Sequence, residues 1–307
     1  MIKPLKKIWM NGKFVNWKSA TVHVMTHALH YGTAIFEGMR CYDTKYGPAV
    51  FRMTDHYRRL LEGTKVYQFD VKYSLAQLTQ ATKKLIKINK LKTGYLRPLC
   101  YADYGTFGLN LQHAPFGFAI VPISLGKYYG KKAEQGISCQ ISSWERINTL
   151  VLSPHVKASA NYLNSALAKR EAVNAGYDEA ILLSEEGHVS EASAENIFIV
   201  KNGELITPPL SDGILAGITR DSVIAIAREL GYSVKERSLL RDDLYTADEV
   251  FLCGTAAEIT PVRSIDKRII GNGKNTKQTK KASNTATSIT KDIRDSFFTI
   301  TSGKDDR

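Results

Sequence analysis

The sequence has few cysteines. Cys41, Cys100, Cys139 and Cys253 are its four cysteines, and no two of them form a C-x-x-C pair. This spacing argues against a zinc site or a redox motif, and a disulfide framework is not expected in a chain of 307 residues. We therefore expect most of the cysteines to be buried as small apolar side chains.

Long apolar runs are also missing. No segment approaches the roughly 20 apolar residues that cross a bilayer. The basic residues near Met1 are not followed by the apolar run of a secretory signal. We expect a cytoplasmic protein with no membrane partner.

Several common catalytic motifs are absent. The sequence has no G-x-x-x-x-G-K-[ST], G-x-G-x-x-G, G-x-S-x-G or H-E-x-x-H pattern, which disfavours P-loop, dinucleotide-binding, serine-hydrolase and zinc-protease functions. His23, His27 and His30 lie close together, but no carboxylate or cysteine stands beside them, and residues 22–25 resemble a strand. We interpret these histidines as hydrogen-bonded or surface residues and expect no metal.

The chain is basic, with a formal net charge of +12. Much of the excess lies in residues 267–281, which contain six basic residues and no acidic one. This stretch lacks the interleaved aromatic residues of a single-strand-binding surface. We interpret it as a solvated segment and expect no nucleic-acid partner, with a basic RNA- or membrane-binding protein as the remote alternative.

Hydrophobic residues make up 43% and charged residues 23% of the chain, as in soluble globular proteins. The order of strand and helix patterns is α+β, without regular β-α-β alternation. Residues 124–136 are rich in glycine and lysine and predict a loop between a smaller N-terminal domain, 1–123, and a larger domain, 137–307. The low-complexity stretch 271–289 predicts a loop or a disordered insert.

Local patterns predict individual elements. The Asn11-Gly12 pair predicts a hairpin. The predicted helices are 55–65 with Thr54 as N-cap, 75–89, 161–175, 219–230 and 293–300. The predicted strands are 48–52, 95–101, 116–123, 137–143, 179–183 and 249–252, with a second hairpin around 201–203.

Two small-residue turns are suited to an anion. Residues 217–221 (GITRD) open a helix, whose first amides have no carbonyl partner within the helix. Residues 254–257 (GTAA) follow an apolar strand and can also present amides. Each turn alone is an ordinary cap or hairpin, but the pair makes a phosphate-bearing ligand plausible.

Lys157 and Glu191 are candidates for the chemistry. Lys157 lies among small residues before a helix that carries Asn161 and Tyr162. A lysine in apolar surroundings loses its proton more readily, as a Schiff-base lysine must. Glu191 precedes a strongly apolar strand. Taken alone, Lys157 is better explained as a surface lysine before a helix, and Glu191 fits an ordinary loop carboxylate.

Separated segments of the chain closely resemble the branched-chain aminotransferases, which are fold-type IV enzymes dependent on pyridoxal 5′-phosphate (PLP). The segments occur in family order and cover about residues 8–266. They are VHVMTHALHYGTAIFEGMR at 22–40, YLRPL at 95–99, VK at 156–157 with NYL at 161–163, SE at 190–191 with EN at 195–196, LAGITR at 215–220 and GTAAEITP at 254–261.

The resemblance implies PLP as cofactor and assigns the residues that bind it. Lys157 would form the Schiff base and then move the proton between the substrate carbon and the cofactor. Glu191 would pair with the pyridine nitrogen, and Tyr162 would bond to the ring's phenolic oxygen. The phosphate would be held by Arg59, the amides of Ile218 and Thr219, and Thr255. The implied cofactor-binding set is completed by Asn196, Leu215 and Gly217.

The resemblance also implies the substrate contacts. An aromatic wall suits an aliphatic side chain, and Arg97 would receive the distal carboxylate of glutamate. For Arg97, a structural ion pair is the alternative interpretation. The implied substrate-binding set is Tyr31, Phe36, Gly38, Arg40, Tyr95, Arg97, Tyr128, Thr255, Ala256 and Ala257.

The implied activity is a reversible ping-pong transfer of the amino group between L-leucine, L-isoleucine or L-valine and 2-oxoglutarate. The implied partners are these small molecules and identical copies of the chain, in a homodimer or homohexamer. A D-amino-acid aminotransferase, an (R)-amine transaminase or an aminodeoxychorismate lyase of the same fold is the alternative.

The sequence departs from the family pattern in three places. Leu125 stands where many bacterial relatives carry tryptophan, and Phe107 and Leu109 replace other apolar residues. The usual Gly-Pro turn before the last helix is missing. The order of preference among leucine, isoleucine and valine is therefore left open.

Overall fold

The computed structural model describes residues 4–126, 128–130, 132–271 and 288–305. Contacts divide the chain into two compact units. The first unit contains Met1–Gly126, Val156–Tyr162 and Thr301–Asp306, and the second contains Lys127–His155, Leu163–Ile300 and Arg307. The insert expected at 271–289 falls mainly on residues 272–287, which lie outside the described residues.

The first unit is built on one sheet. Its described strands lie in the order β2-β1-β7-β6-β4-β5, with β3 paired to β6. The strands are β1 Lys7–Met10, β2 Lys13–Asn16, β3 Ala34–Phe36, β4 Met39–Thr44, β5 Gly47–Val50, β6 Gly94–Ala102 and β7 Phe116–Ile123. The helices are α1 His27–Tyr31, α2 Met53–Val66 and α3 Leu75–Asn89.

The predicted hairpin and the second long helix are confirmed. Asn11 (φ 48°) and Gly12 (φ 85°) form the turn, as a two-residue hairpin between right-twisted strands requires. Helix α3 begins after Ser74, whose hydroxyl accepts from the Gln77 amide while the Gln77 side chain accepts from the Ser74 amide. Leu78 and Leu85 of this helix are fully buried in the core.

Two local predictions are wrong. The N-cap of α2 is Arg52, not Thr54, because Arg52 adopts a left-handed backbone and its Nε donates to Asp55 at 2.7 Å, so the helix starts earlier than predicted. Residues 22–25 are not a strand, and the helix α1 follows them and ends at Gly32, φ 67°. His27 on α1 is buried, with its ring nitrogens 2.8 Å from Thr33 Oγ1 and from Gly108 O.

The second unit contains the larger sheet. Its described strands lie in the order β10-β9-β8-β15-β14-β11-β12-β13, with β16 paired to β15. The strands are β8 Ile137–Ile141, β9 Glu179–Leu183, β10 Val189–Ala192, β11 Asn196–Lys201, β12 Glu204–Thr207, β13 Val234–Glu236, β14 Glu249–Gly254, β15 Glu258–Ile265 and β16 Arg268–Ile269. The helices are α4 Lys132–Gln135, α5 Asn161–Asn174, which starts within the first unit, α6 Ile218–Glu229, α7 Arg241–Tyr245 and α8 Ile289–Thr301.

The segment Val156–Tyr162 belongs to the first unit, although the sequence analysis assigned all of 137–307 to one domain. Backbone pairing explains the assignment, because the Phe36 amide donates to Lys157 O at 3.0 Å and the Ser159 amide donates to Ala34 O at 2.8 Å. These bonds hold the segment along β3 and place Lys157 beside the first sheet.

The expectation for the cysteines is confirmed, since all four are buried and free. No helix in the described ranges is both long and apolar enough to cross a membrane.

Candidate active site

Lys157 lies against an aromatic pair in the first unit. Its Nζ donates to Tyr162 Oη at 2.6 Å and lies 5.2 Å from the centre of the Phe36 ring. The Phe36 and Tyr162 rings meet edge to face at 4.7 Å. Asn161 Nδ2 closes the turn between lysine and tyrosine by donating to Val156 O at 3.1 Å. The turn therefore holds the amine and the phenol on the same side.

The pKa of Lys157 is raised, which reverses the expectation from its small apolar neighbours. Burial lowers the pKa of this amine, but Tyr162, Glu37 and Tyr95 together raise it by more, against the opposing charge of Arg59. The lysine is therefore an ammonium at neutral pH in the chain alone.

A fully buried carboxylate organises the residues behind this lysine. Glu37 Oε1 accepts from Arg59 Nε at 2.5 Å, and Oε2 accepts from His56 Nδ1 at 2.7 Å and from the Gly38 amide at 3.0 Å. Burial raises the pKa of Glu37, but Arg59 and His56 outweigh burial and hold the pKa well below its usual range. Burial lowers the pKa of His56 and prevails over Glu37. The ion pair is therefore Glu37–Arg59, with His56 as a neutral donor.

The Tyr95 side chain lies close to the backbone at Gly38, in the aromatic surface formed by Phe36 and Tyr95. Strand β4 pairs with β6, so Arg40 stands opposite Tyr95 and Met39 opposite Leu96. A Cβ at Gly38 would lie 1.7 Å from Tyr95 Oη, so only glycine leaves room for this phenol. The position of the Tyr95 ring in this aromatic surface therefore depends on glycine at position 38.

Arg97 lies over the same aromatic surface. Its guanidinium carbon lies 4.5 Å from the centre of the Phe36 ring and 5.5 Å from that of Tyr95. The Nε atom of Arg97 is buried and has no hydrogen-bond partner among the described residues. A buried unpaired donor is costly, and a carboxylate ligand would satisfy it. In the part of the chain that the structure describes, no carboxylate forms an ion pair with Arg97.

Two predicted substrate contacts of the first unit also contact other residues of that unit. Tyr31 packs its ring on His27 at 4.3 Å and is exposed. Arg40 is buried and its Nη2 donates to Gly126 O at 3.0 Å.

In the second unit, three donors hold the Glu191 carboxylate. Arg146 Nη2 lies 2.6 Å from Glu191 Oε1, and both side chains are buried. Glu191 Oε2 accepts from Asn196 Nδ2 at 2.9 Å and from the Leu215 amide at 3.0 Å. The carboxylate is thus fixed by donors from separate segments of the unit.

The predicted anion turn at the start of α6 is linked to this carboxylate through Asn196. Asn196 Nδ2 also donates to Leu215 O at 3.0 Å, and a Cβ at Gly217 would lie 1.9 Å from Asn196 Oδ1. Helix α6 starts at Ile218, and its N-cap residue Gly217 makes no side-chain cap hydrogen bond, so the first turn, which includes Thr219, presents backbone amides at the helix start. The close approach at Gly217 explains why glycine stands there.

The second predicted anion turn is a tight connection between antiparallel strands. Residues 255–257 join β14 to β15, where Gly254 pairs with Glu258. Thr260 Oγ1 donates to Ala257 O at 2.8 Å. Thr255 and Ala256 are partly exposed, and Tyr128 in another segment of this unit is exposed.

Three residues of these clusters were not predicted as site residues. They are Glu37, His56 and Arg146, which contact Arg59, Glu37 or Glu191 rather than a ligand surface. Glu37 lies between the predicted contacts Phe36 and Gly38, which was the available signal. No pattern in the sequence pointed to His56 or Arg146.

Each unit contains groups of the kind that PLP requires. An amine for the aldehyde is present in Lys157, with the Tyr162 hydroxyl beside it. A buried, triply held carboxylate suited to a protonated pyridine nitrogen is present in Glu191. Arg59 offers the positive charge, and the start of α6 the backbone amides, that a phosphate requires.

Comparisons with known proteins agree with this chemistry. The family described as amino-transferase class IV matches residues 34–265. The branched-chain-amino-acid aminotransferase of Escherichia coli strain K12 is 44% identical over 302 residues, covering 97% of this chain and 93% of that protein. The chain therefore belongs to the class IV aminotransferase family.

Solved structures show the same architecture. The crystal structure of the Escherichia coli branched-chain amino acid aminotransferase has a TM-score of 0.92 at 43% identity, covering 98% of this chain and 97% of that one. The branched-chain amino acid aminotransferase from Thermobaculum terrenum in its PLP form has a TM-score of 0.88 at 36% identity, covering 98% of this chain and 95% of that one. The predicted α+β fold of fold-type IV is confirmed.

Replacing Glu37 with glutamine tests the buried ion pair. E37Q keeps the shape of the side chain but leaves the Arg59 charge without its carboxylate, so we expect a loss of about 3 kcal/mol in the free energy of unfolding at pH 7. Because the pKa of Glu37 is depressed in the fold, the difference from the parent should persist above the usual value of 4.5 and shrink as the pH falls below it. Urea unfolding across pH measures both effects.

Glu62→Gln, on the exposed side of α2, is the matched control and should change stability by less than about 0.5 kcal/mol. Equal stabilities of E37Q and E62Q would contradict this account of the pair.

Proposed function

We propose that this chain is a branched-chain-amino-acid aminotransferase that uses PLP to move the amino group between L-leucine, L-isoleucine or L-valine and 2-oxoglutarate. The observation that carries the proposal is the 2.6 Å contact of Lys157 Nζ with Tyr162 Oη beside the Phe36 ring, with the unpaired Nε of Arg97 over the same ring. This reaction requires an amine, an apolar aromatic surface for the substrate side chain, and a cation that binds a carboxylate.

Lys157 is the proposed catalytic residue. Bound PLP supplies an electron-withdrawing ring that stabilises negative charge at the substrate α-carbon. The Lys157 amine would hold the cofactor through its aldehyde group and would take the substrate α-proton as general base. The Tyr162 hydroxyl accepts a hydrogen bond from this amine at 2.6 Å and keeps it oriented.

The remaining cofactor contacts are proposed unit by unit. In the first unit, Tyr162 meets the phenolic oxygen and Arg59 the phosphate, with Glu37 keeping Arg59 in place. In the second unit, Glu191 keeps the pyridine nitrogen protonated. It is held by Asn196 and the Leu215 amide. The phosphate contacts of this unit are Gly217, the Ile218 and Thr219 amides, and Thr255.

The proposed substrate contacts also come from each unit. Phe36 gives an apolar surface to a branched side chain, and each buried methylene contributes about 0.8 kcal/mol. Tyr95, Arg40 and Arg97 are suited to carboxylates, and Arg97 also receives the distal carboxylate of glutamate. The other proposed contacts are Tyr31, Gly38, Tyr128, Thr255, Ala256 and Ala257.

Assembly with identical copies is part of the proposal. Phe107 and Leu109 of the first unit are more than 80% exposed, and Val24 and Leu29 are also exposed. Apolar surface of this kind is usually covered by a partner. We propose a homodimer or homohexamer in the cytoplasm. Sedimentation equilibrium would reveal the copy number, and a monomer would contradict the proposal.

Substrate specificity separates the proposed function from its relatives. We expect transfer from L-leucine to 2-oxoglutarate and no transfer from D-alanine, measured as glutamate and 2-oxo acid formed by the PLP-loaded enzyme. K157A should lower kcat by about a thousandfold, because it removes the general base. Turnover of D-alanine but not of L-leucine would assign the chain to the D-amino-acid aminotransferases.

Arg97 is expected to discriminate between the two amino donors. In R97M the kcat/KM for glutamate should fall about thirtyfold, the effect of losing one charge-assisted contact, and that for leucine should fall less. Steady-state kinetics with each donor measure the two ratios.

Arg58→Met, on the exposed side of α2, is the matched control and should leave both ratios unchanged. Equal losses for glutamate and leucine in R97M would mean that Arg97 does not recognise the distal carboxylate.

A further inference from the structure

A second buried carboxylate lies four residues after Glu191. Glu195 is in the turn between β10 and β11 and is 4% exposed. Its Oε1 lies 2.9 Å from Tyr129 Oη, and the same hydroxyl lies 2.7 Å from Oε2 of the buried Glu179. One phenol therefore stands between two carboxyl groups.

This arrangement requires an additional proton on one of the two carboxyl groups. A phenol has one hydrogen and can donate to only one of the two carboxyl groups. The other contact is a hydrogen bond only if that carboxyl group is protonated and donates to the phenol oxygen. Two ionised carboxylates on one hydroxyl would leave one contact repulsive in a buried place.

The surrounding charges place the proton on Glu195. Glu179 has a cation, because Lys169 Nζ lies 2.5 Å from its Oε2, and its Oε1 accepts from the Ala180 amide at 2.8 Å. Among the described residues, the polar contacts of the Glu195 carboxyl group are Tyr129 and, at 3.2 Å, the Ala194 amide. The charged form is therefore stabilised more at Glu179 than at Glu195.

The Tyr129 phenol and the two thiols that face the cluster are neutral, whereas Lys169, Asp178, Glu191 and Arg220 are the charged groups around it. Burial raises the pKa of the Tyr129 phenol, and the two carboxyl groups raise it further. Burial also raises the pKa values of the Cys139 and Cys253 thiols, which Glu195 raises further. Burial, and next the charge of Glu179, raise the pKa of Glu195 to about 8, against the opposing effect of Lys169.

The cluster joins two pieces of the second unit. Tyr129 belongs to the described segment 128–130, and its ring meets the Tyr128 ring edge to face at 4.9 Å. The turn that carries Glu195 is closed by the Ala192 amide, which donates to Glu195 O at 2.8 Å. This turn connects Glu191 to Asn196.

We propose that Glu195 is a positioning residue that stays protonated at neutral pH and, by donating to Tyr129, holds segment 128–130 and its substrate contact Tyr128 on the turn between Glu191 and Asn196. When Glu195 ionises, its proton goes to solvent and this hydrogen bond is lost. Only the role of Tyr128 rests on the proposed aminotransferase function. The protonation of Glu195 does not.

Infrared spectroscopy tests the proton directly, without any turnover. In the PLP-loaded parent at pH 7, the carbonyl stretch of a buried carboxylic acid should be present and should disappear with a midpoint near pH 8. Glu195→Gln should lack this band, and the exposed control Glu62→Gln should keep it. Absence of the band from the parent, or its survival in E195Q, would overturn the proposal.

The pH dependence of the free energy of unfolding tests independently whether Glu195 is protonated. A carboxyl group with a raised pKa contributes stability that is complete below its unfolded value of 4.5 and lost as the pH rises to about 8. The parent should therefore lose stability relative to E195Q between these values and run parallel to it below them. Parallel curves throughout would overturn the proposal.

Kinetics test the positioning role. In the parent and in E62Q, the KM for L-leucine should rise about fivefold across pH 8, the factor for one ordinary hydrogen bond, and E195Q should lack this rise. Tyr129→Phe should show the raised KM at every pH. An infrared band with identical KM profiles in the parent and E195Q would overturn the positioning role. Absence of leucine turnover in every variant would instead count against the proposed function and leave the infrared result standing.

Discussion

The first unit depends on the Glu37 carboxylate more than on any group that faces a ligand. It is fully buried, and three donors converge on it from α2 and from its own loop. Because a buried charge without a partner is strongly unfavourable, the carboxylate and Arg59 hold one another in place. Arg59 is thus held where a phosphate contact is proposed, and the chain around Glu37 places Phe36 and Gly38 beside Lys157 and Tyr95.

The second unit contains carboxyl groups that lie close in sequence and differ in charge. Glu191 has a guanidinium at 2.6 Å and two amide donors, which is the environment of an anion. Glu195 instead faces the Tyr129 phenol, which already donates to Glu179. This environment favours the neutral carboxylic acid. The same residue type can therefore have a charged form suited to the proposed cofactor contact and, four residues later, a neutral form with a structural role.

Much of the fold was predictable because its signals are local. The Asn11-Gly12 turn, the helix Leu75–Asn89 and the strand Phe116–Ile123 follow from turn chemistry and periodicity within a few residues. The site segments were predictable through family resemblance. The Arg146–Glu191 pair and the raised pKa of Lys157 depend on residues distant in sequence, and local composition suggested the opposite pKa shift. The start of α2 at Met53 depends on one side-chain contact of Arg52, which no pattern encodes.

The visible absorption spectrum of the PLP-loaded enzyme, before and after addition of L-leucine without any oxo acid, tests the central claim most directly. The account predicts a long-wavelength band of lysine-bound cofactor that falls as the band of the pyridoxamine form grows. In K157A the long-wavelength band of the parent should be absent. A band that ignores L-leucine would contradict the assigned substrate, and no band after incubation with PLP would contradict the site itself.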